Sequence, residues 1–237
     1  MAEQLPLNLP IRPALGREDF VVTASNSVAL GMLESPRWPG GRLALIGPPA
    51  SGKTHLAHVW AEGSGAVVIR AAELPRYDIA TLASAGRVAV EDVPDIAGQR
   101  GPETALFHLY NRLGSTGGRL LVTGREAPAR WPVALPDLRS RLSALTVAQL
   151  DSPDDALLGS LLEKQLRDLG LDPDMSVLTY LLPRMPRTAE AARDLAAEID
   201  RLSLSRKRGV GREMAKEALA RIGVSSPRHE PEAKDGP

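Results

Sequence analysis

Gly47 to Thr54 reads GPPASGKT, directly behind the apolar run RLALI at Arg42–Ile46 and ahead of the helix-forming stretch HLAHVWAE. The spacing G-x-x-x-x-G-K-[ST] between a strand and a helix is that of a phosphate-binding loop. Such a loop, here Gly47, Pro48, Pro49, Ala50, Ser51 and Gly52, points the backbone N–H groups of its non-proline residues at phosphate oxygens, and Gly52 lets the ligand approach the backbone. Lys53 reaches the β/γ oxygens, the Thr54 hydroxyl suits Mg²⁺, and His55 follows on the helix.

Three more short apolar runs flank this unit: AVVIR at Ala66–Arg70, VAV at Val88–Val90 and RLLVT at Arg119–Thr123, with a fifth expected in ALTVAQL at Ala144–Leu150. Their spacing leaves room for intervening helices, which predicts an α/β fold with a covered parallel sheet. Ser152, Pro153, Asp154 and Asp155 next supply an N-cap, a proline for the first helical position and acids for the first turn, so a helix should run toward Leu169. Beyond it the periodicity is helical only, at Asp174–Leu182, Ala189–Ser205 and Arg212–Ile222, with breaks at Pro183, Pro186 and Gly209–Gly211. The organisation expected is an extended arm over 1–17, an α/β nucleotide-binding domain over 18–151, a small all-helical lid over 152–224 and a disordered tail over 225–237.

Composition narrows the function. The 237 residues carry 29 lysines plus arginines against 29 acids, so no global field draws the chain onto DNA, and nucleic-acid contact must be local or indirect. The absence of cysteine removes disulfides, thiolate metal sites and cysteine nucleophiles. No apolar run reaches membrane-spanning length and Met1–Arg12 lacks the pattern of a signal peptide, so the expected compartment is the cytoplasm with no membrane partner. A phosphate-binding loop also calls for an acid at a neighbouring strand end, and VAVED at Val88–Asp92 supplies two. Glu91 takes the metal-holding place usually filled by aspartate, and Asp92 takes the water-orienting place.

These residues resemble the DnaA family of AAA+ ATPases. GKTHLAH at Gly52–His58 is similar to the family's loop-to-helix junction, and FVVTASN, with Phe20, Val21, Ser25 and Asn26, resembles its segment lining the adenine pocket. LLVTG places Thr123 at the end of the family's sensor-1 strand, although Gly124 and Arg125 depart from the usual polar pair. LPDLRSRL at Leu135–Leu142 is similar to the arginine-finger segment and puts Arg141 on the finger position. ARDLAAEIDRL at Ala192–Leu202 resembles the sensor-2 helix, making Arg193 the candidate lid arginine, with Arg187 in PRTAEAA a second. The resemblance implies ADP or ATP with Mg²⁺ as cofactor.

Where the DnaA family continues into a helix-turn-helix domain, only a short polar tail follows the expected lid, which makes direct reading of an origin unexpected. That combination resembles the Hda-type regulators within the family. The arm supports it: QLPLNL at Gln4–Leu9, with Gln4, Leu5, Pro6, Leu7 and Leu9, is similar to their peptide for the polymerase sliding clamp, an extended segment that buries apolar side chains in a groove. The resemblance implies a negative regulator of replication initiation whose partners are DnaA and the clamp, with DNA reached through the clamp, and it leaves a homo-oligomer open. Arg141 would stimulate hydrolysis of DnaA-bound ATP, with only weak ATPase activity of its own required. An autonomous ATPase, such as a helicase loader or remodeller, and a pure clamp adaptor are the alternatives.

Overall fold

The computed structural model describes residues 16–206 and 210–223. The arm residues Gln4, Leu5, Pro6, Leu7 and Leu9, and the tail from Ser225, lie outside the described residues. Arg17, read with the extended arm, instead begins a short 3-10 turn, Arg17–Asp19, closed by the Phe20 N–H on the Arg17 carbonyl at 3.2 Å.

Five strands, β1 (Arg42–Ile46), β2 (Val67–Arg70), β3 (Arg87–Glu91), β4 (Arg119–Gly124) and β5 (Thr146–Gln149), form one parallel sheet in the order β2-β3-β4-β1-β5. The expected β5 is shorter than the apolar run that suggested it, though the Leu150 N–H still reaches the Ile46 carbonyl at 2.8 Å. Side chains alternate across the sheet, as a pleated strand requires. Ala44, Ile46, Val88, Val90, Leu120 and Val122 pack on one face with α4 (Arg100–Ser115) and α5 (Pro136–Ser143). Leu43, Leu45, Ala89, Leu121 and Ala148 pack on the other with α1 (Ser27–Glu34) and α2 (Lys53–Ser64). Both faces are covered, which is why the strands read as continuous apolar runs.

A separate core joins the helices α6 (Asp155–Asp168), α7 (Met175–Leu181), α8 (Ala189–Arg206) and α9 (Arg212–Arg221), built on Leu158, Leu162, Leu166, Leu195, Ile199 and Leu219. The predicted N-cap of α6 shifts by two residues. Asp154 rather than Ser152 caps it, accepting the Leu157 N–H at 2.7 Å, and Pro153 stands before the helix instead of at its first position. An aspartate can satisfy the free first-turn N–H groups and sits at their positive end, so the cap falls where the carboxylate reaches them. The same carboxylate accepts the Ser25 N–H at 3.3 Å, and Lys164 of α6 pairs with Asp19, so the helical core is tied to the segment that precedes α1. Among the described residues no helix is long and apolar enough to cross a membrane.

Candidate nucleotide-binding site

The loop Gly47–Gly52 leaves the carboxyl end of β1 and enters α2, with Ala50 at φ 59° and Gly52 at φ 95°. Two residues in the left-handed region curl the backbone into a cup. Such curling points consecutive N–H groups to one side and makes an anion-binding concavity at a helix start. Lys53 folds over the same loop, donating to the carbonyls of Gly47 at 2.9 Å and Pro48 at 2.7 Å. Burial pulls its pKa below the ordinary lysine value, Asp92 opposes that shift and Arg125 adds to it. Thr54 is exposed in the first turn of α2.

The strand order carries the acids to the same edge. Two strands from the loop, β3 ends at Glu91, which is 7% exposed and whose Oε1 has no hydrogen-bond partner. An unpartnered buried carboxylate oxygen is costly, and it is the kind of hard donor a divalent cation accepts. Among the described residues no cluster of three or more acids, histidines or cysteines could hold a metal. The unpartnered Glu91 oxygen is a donor that suits Mg²⁺ held mainly by phosphates and water, and the exposed Thr54 hydroxyl is of the same hard-oxygen chemistry. Asp92 is exposed in the left-handed region at φ 54°, and its N–H donates to the Thr123 hydroxyl at 3.0 Å. Thr123 itself is buried on β4, the strand between the acids and the phosphate-binding loop. A groove of about 330 Å³ opens here, lined by Asp92, Gly124, Arg125 and Trp131 among others.

The residues expected near adenine form a second cluster. Asn26 is buried and staples a turn, accepting the Thr23 N–H at 2.9 Å and donating to the Val21 carbonyl at 2.9 Å. Phe20 meets His55 edge to face at 5.2 Å, and the His55 ring nitrogen lies 3.2 Å from the Gly16 carbonyl. Burial lowers the His55 pKa, with the Gly16 carbonyl and Asp19 opposing that shift and His58 and Lys164 adding to it.

The three arginines sit in three different segments of the chain. Arg187 bonds the Pro153 carbonyl at 2.7 Å and Asp155 at 2.7 Å, at the start of α6. Arg193 is exposed on α8. Arg141 is exposed near the end of α5 and its guanidinium lies over Phe107 and Tyr110 of α4, at 5.3 and 5.7 Å from the ring centroids. Asp137, one turn earlier on the same face, forms no ion pair with it among the described residues. The chain then enters β5, whose Thr146 pairs with Leu43 near the amino end of β1. Tyr110 also stacks at 4.6 Å on Arg42, the first residue of β1. Arg141 therefore lies toward the amino edge of the sheet, while the Gly47–Gly52 loop leaves the carboxyl edge, at the other end of a five-residue strand about 13 Å long.

Two contributors escape the sequence reading. Arg125 acts electrostatically on Lys53. Glu103, only 1% exposed, ties loops that are distant in sequence. Neither sits in a spacing pattern that marks such a role.

No family model matches the chain. Domain III of the Thermotoga maritima replication initiation protein DnaA is similar with a TM-score of 0.71 and 21% identity, over 90% of this chain and 98% of that one. AMPPCP-bound DnaA from Aquifex aeolicus gives 0.68 and 17% over 89% and 70% of the two chains. The Thermotoga maritima RuvB Holliday junction branch migration motor gives 0.61 and 16% over 78% and 63%. The parallel five-stranded sheet with flanking helices is the AAA+ fold, and this chain shares it with both DnaA and RuvB.

Proposed function

We propose that this chain is a DnaA-like AAA+ protein of the Hda type, a negative regulator of replication initiation that binds adenine nucleotide and acts on the nucleotide of a neighbouring DnaA. Residues 18–151 hold ADP or ATP and Mg²⁺ through Lys53, Thr54 and Glu91, and residues 152–224 close over it with Arg187 or Arg193. Gln4, Leu5, Pro6, Leu7 and Leu9 engage the sliding clamp, which brings the protein to DNA.

The observation that carries this reading is the placement of Arg141 at the far edge of the sheet from its own phosphate-binding loop, unpaired by any described acid. From there it cannot serve its own nucleotide, and a planar guanidinium held on two aromatic rings is suited to charge developing on a phosphoryl group supplied by another subunit. The test mixes this protein with ATP-loaded DnaA and DNA-loaded clamp and follows loss of the bound ATP. Stimulation that needs all three partners is expected, and its absence overturns the reading. A second reading, an autonomous ATPase, draws on Asp92, which is exposed at the strand end and acts electrostatically on Lys53. Turnover by the protein alone at a rate matching the mixed assay would favour it.

A further inference from the structure

Glu103 sits in the first turn of α4, and its carboxylate accepts three backbone hydrogen bonds. Oε1 takes the N–H of Gly98 at 2.7 Å and of Ala134 at 2.9 Å, and Oε2 takes the N–H of Leu135 at 2.8 Å. A carboxylate this deeply buried persists only when donors of this quality satisfy it. The donors come from two places. Gly98 belongs to the connection that leaves Asp92 and enters α4, while Ala134 and Leu135 lead into α5, with Leu135 as its N-cap residue. N–H groups at a helix start lack intrahelical partners and favour a negative charge, so the Glu103 carboxylate anchors the beginning of α5.

The other end of α5 is held by the same helix. Glu103, Phe107 and Tyr110 stand at positions i, i+4 and i+7, on one face of α4. Phe107 and Tyr110 carry the Arg141 guanidinium. α5 is eight residues long, so holding the backbone that leads into it at Ala134 and Leu135 and the Arg141 side chain of its last turn leaves it little freedom to roll or slide.

We propose that Glu103 is a positioning residue for Arg141, fixing the helix that presents the guanidinium and tying that helix to the loop behind Asp92. This rests on the reading that Arg141 acts on a neighbouring subunit. Glu103→Gln keeps the volume but exposes the role. If its carbonyl oxygen keeps Gly98 and Ala134, its NH₂ faces the Leu135 N–H, donor against donor; if it turns to keep Leu135, the other two bonds are lost.

The experiment measures two quantities on the full chain. The first is the order of the Arg141 Nε–H bond by ¹⁵N relaxation, which Glu103→Gln should lower toward that of a free surface arginine. The second is stimulated hydrolysis on DnaA, where kcat should fall about 10-fold to 100-fold, the penalty of misplacing a group by about 1 Å. Half-saturation by the protein should change less than about twofold, since ground-state binding is retained. A purely structural weakening would move stability without this split. Wild-type order at Arg141 in Glu103→Gln overturns the proposal whatever the partner assay gives. So does an unchanged kcat where Arg141→Ala abolishes stimulation. If the wild type stimulates nothing, the reading of Arg141 in the partner's site fails, and the order measurement still decides Glu103. If Glu103→Gln does not fold, Leu135→Pro removes one of the same bonds from the donor side at φ −71°, which proline adopts, and the same loss of order is expected.

Discussion

Gly47→Ala should damage the nucleotide site through the backbone. A Cβ there would lie 2.6 Å from the Leu150 carbonyl oxygen, 2.7 Å from the Ser51 hydroxyl and 3.0 Å from Leu150 Cβ. Ser51 could turn aside, but the Leu150 backbone cannot, because its N–H is committed to the Ile46 carbonyl at 2.8 Å. Ordinary contact needs about 3.5 Å, so the loop or the end of β5 must retreat by close to 1 Å. Overpacking of this kind costs about 1–3 kcal/mol. At about 2–4 °C per kcal/mol for a chain this size, the midpoint of that range lowers Tm by about 4–8 °C. The loop carbonyls that hold Lys53 move with it, so the phosphate cradle is lost as well. The assay is thermal unfolding with and without MgADP. At 100 times Kd the wild type should gain about 2.7 kcal/mol from ligand, and the variant almost none. A variant that melts with the wild type and keeps the full ADP response would refute both the steric argument and the placement of phosphate in this loop.

Arg141→Ala should leave ADP binding and clamp capture unchanged while stimulated hydrolysis on DnaA falls by on the order of 10³ to 10⁵, and Arg141→Lys should not restore it; single-turnover assays with ATP-loaded DnaA check this. Replacing Gln4, Leu5 and Leu7 together by alanine should abolish capture by surface-bound clamp without altering ADP affinity, and equal capture would remove the arm from the mechanism. Asp154→Ala should cost about 0.5–2 kcal/mol in thermal unfolding through loss of the α6 cap. Burial pushes the Asp154 carboxyl upward, yet hydrogen bonds from Leu157, Thr23 and Ser25 outweigh it and hold the pKa below the ordinary aspartate value. A depressed folded pKa means that the contribution is complete above the unfolded value and disappears as pH falls through the folded one. The wild type should therefore lose this share of stability only at pH below the usual carboxylate range, and Asp154→Ala should flatten that part of the profile.

Much of the architecture was legible in the residues because its signals are local. GPPASGKT specifies a loop between a strand and a helix, and five apolar runs separated by helix-length segments specify a covered parallel sheet. The helices of the separate core announced themselves by periodicity, and the observed α7, α8 and α9 fall within a residue or so of the expected ranges. Even the α6 cap lay within the four residues singled out, although chain chemistry alone did not choose Asp154 over Ser152, because the choice turned on which side chain met the free N–H groups and Ser25 together.

What only the tertiary structure decided are relations between residues far apart in the chain. The order β2-β3-β4-β1-β5 sets Thr123 between the acids and the phosphate-binding loop, and no local pattern states which strands become neighbours. Arg141 could be matched to a motif, but its separation from its own loop follows from the pairing of β5 with β1. Glu103 could not be found at all: its partners at Ala134 and Leu135 lie 31 and 32 residues away, and a backbone N–H has the same identity in every residue except proline. A side chain whose partners are main-chain atoms leaves no mark in the sequence of the segment it holds, so only the fold shows that this acid bonds the backbone leading into α5.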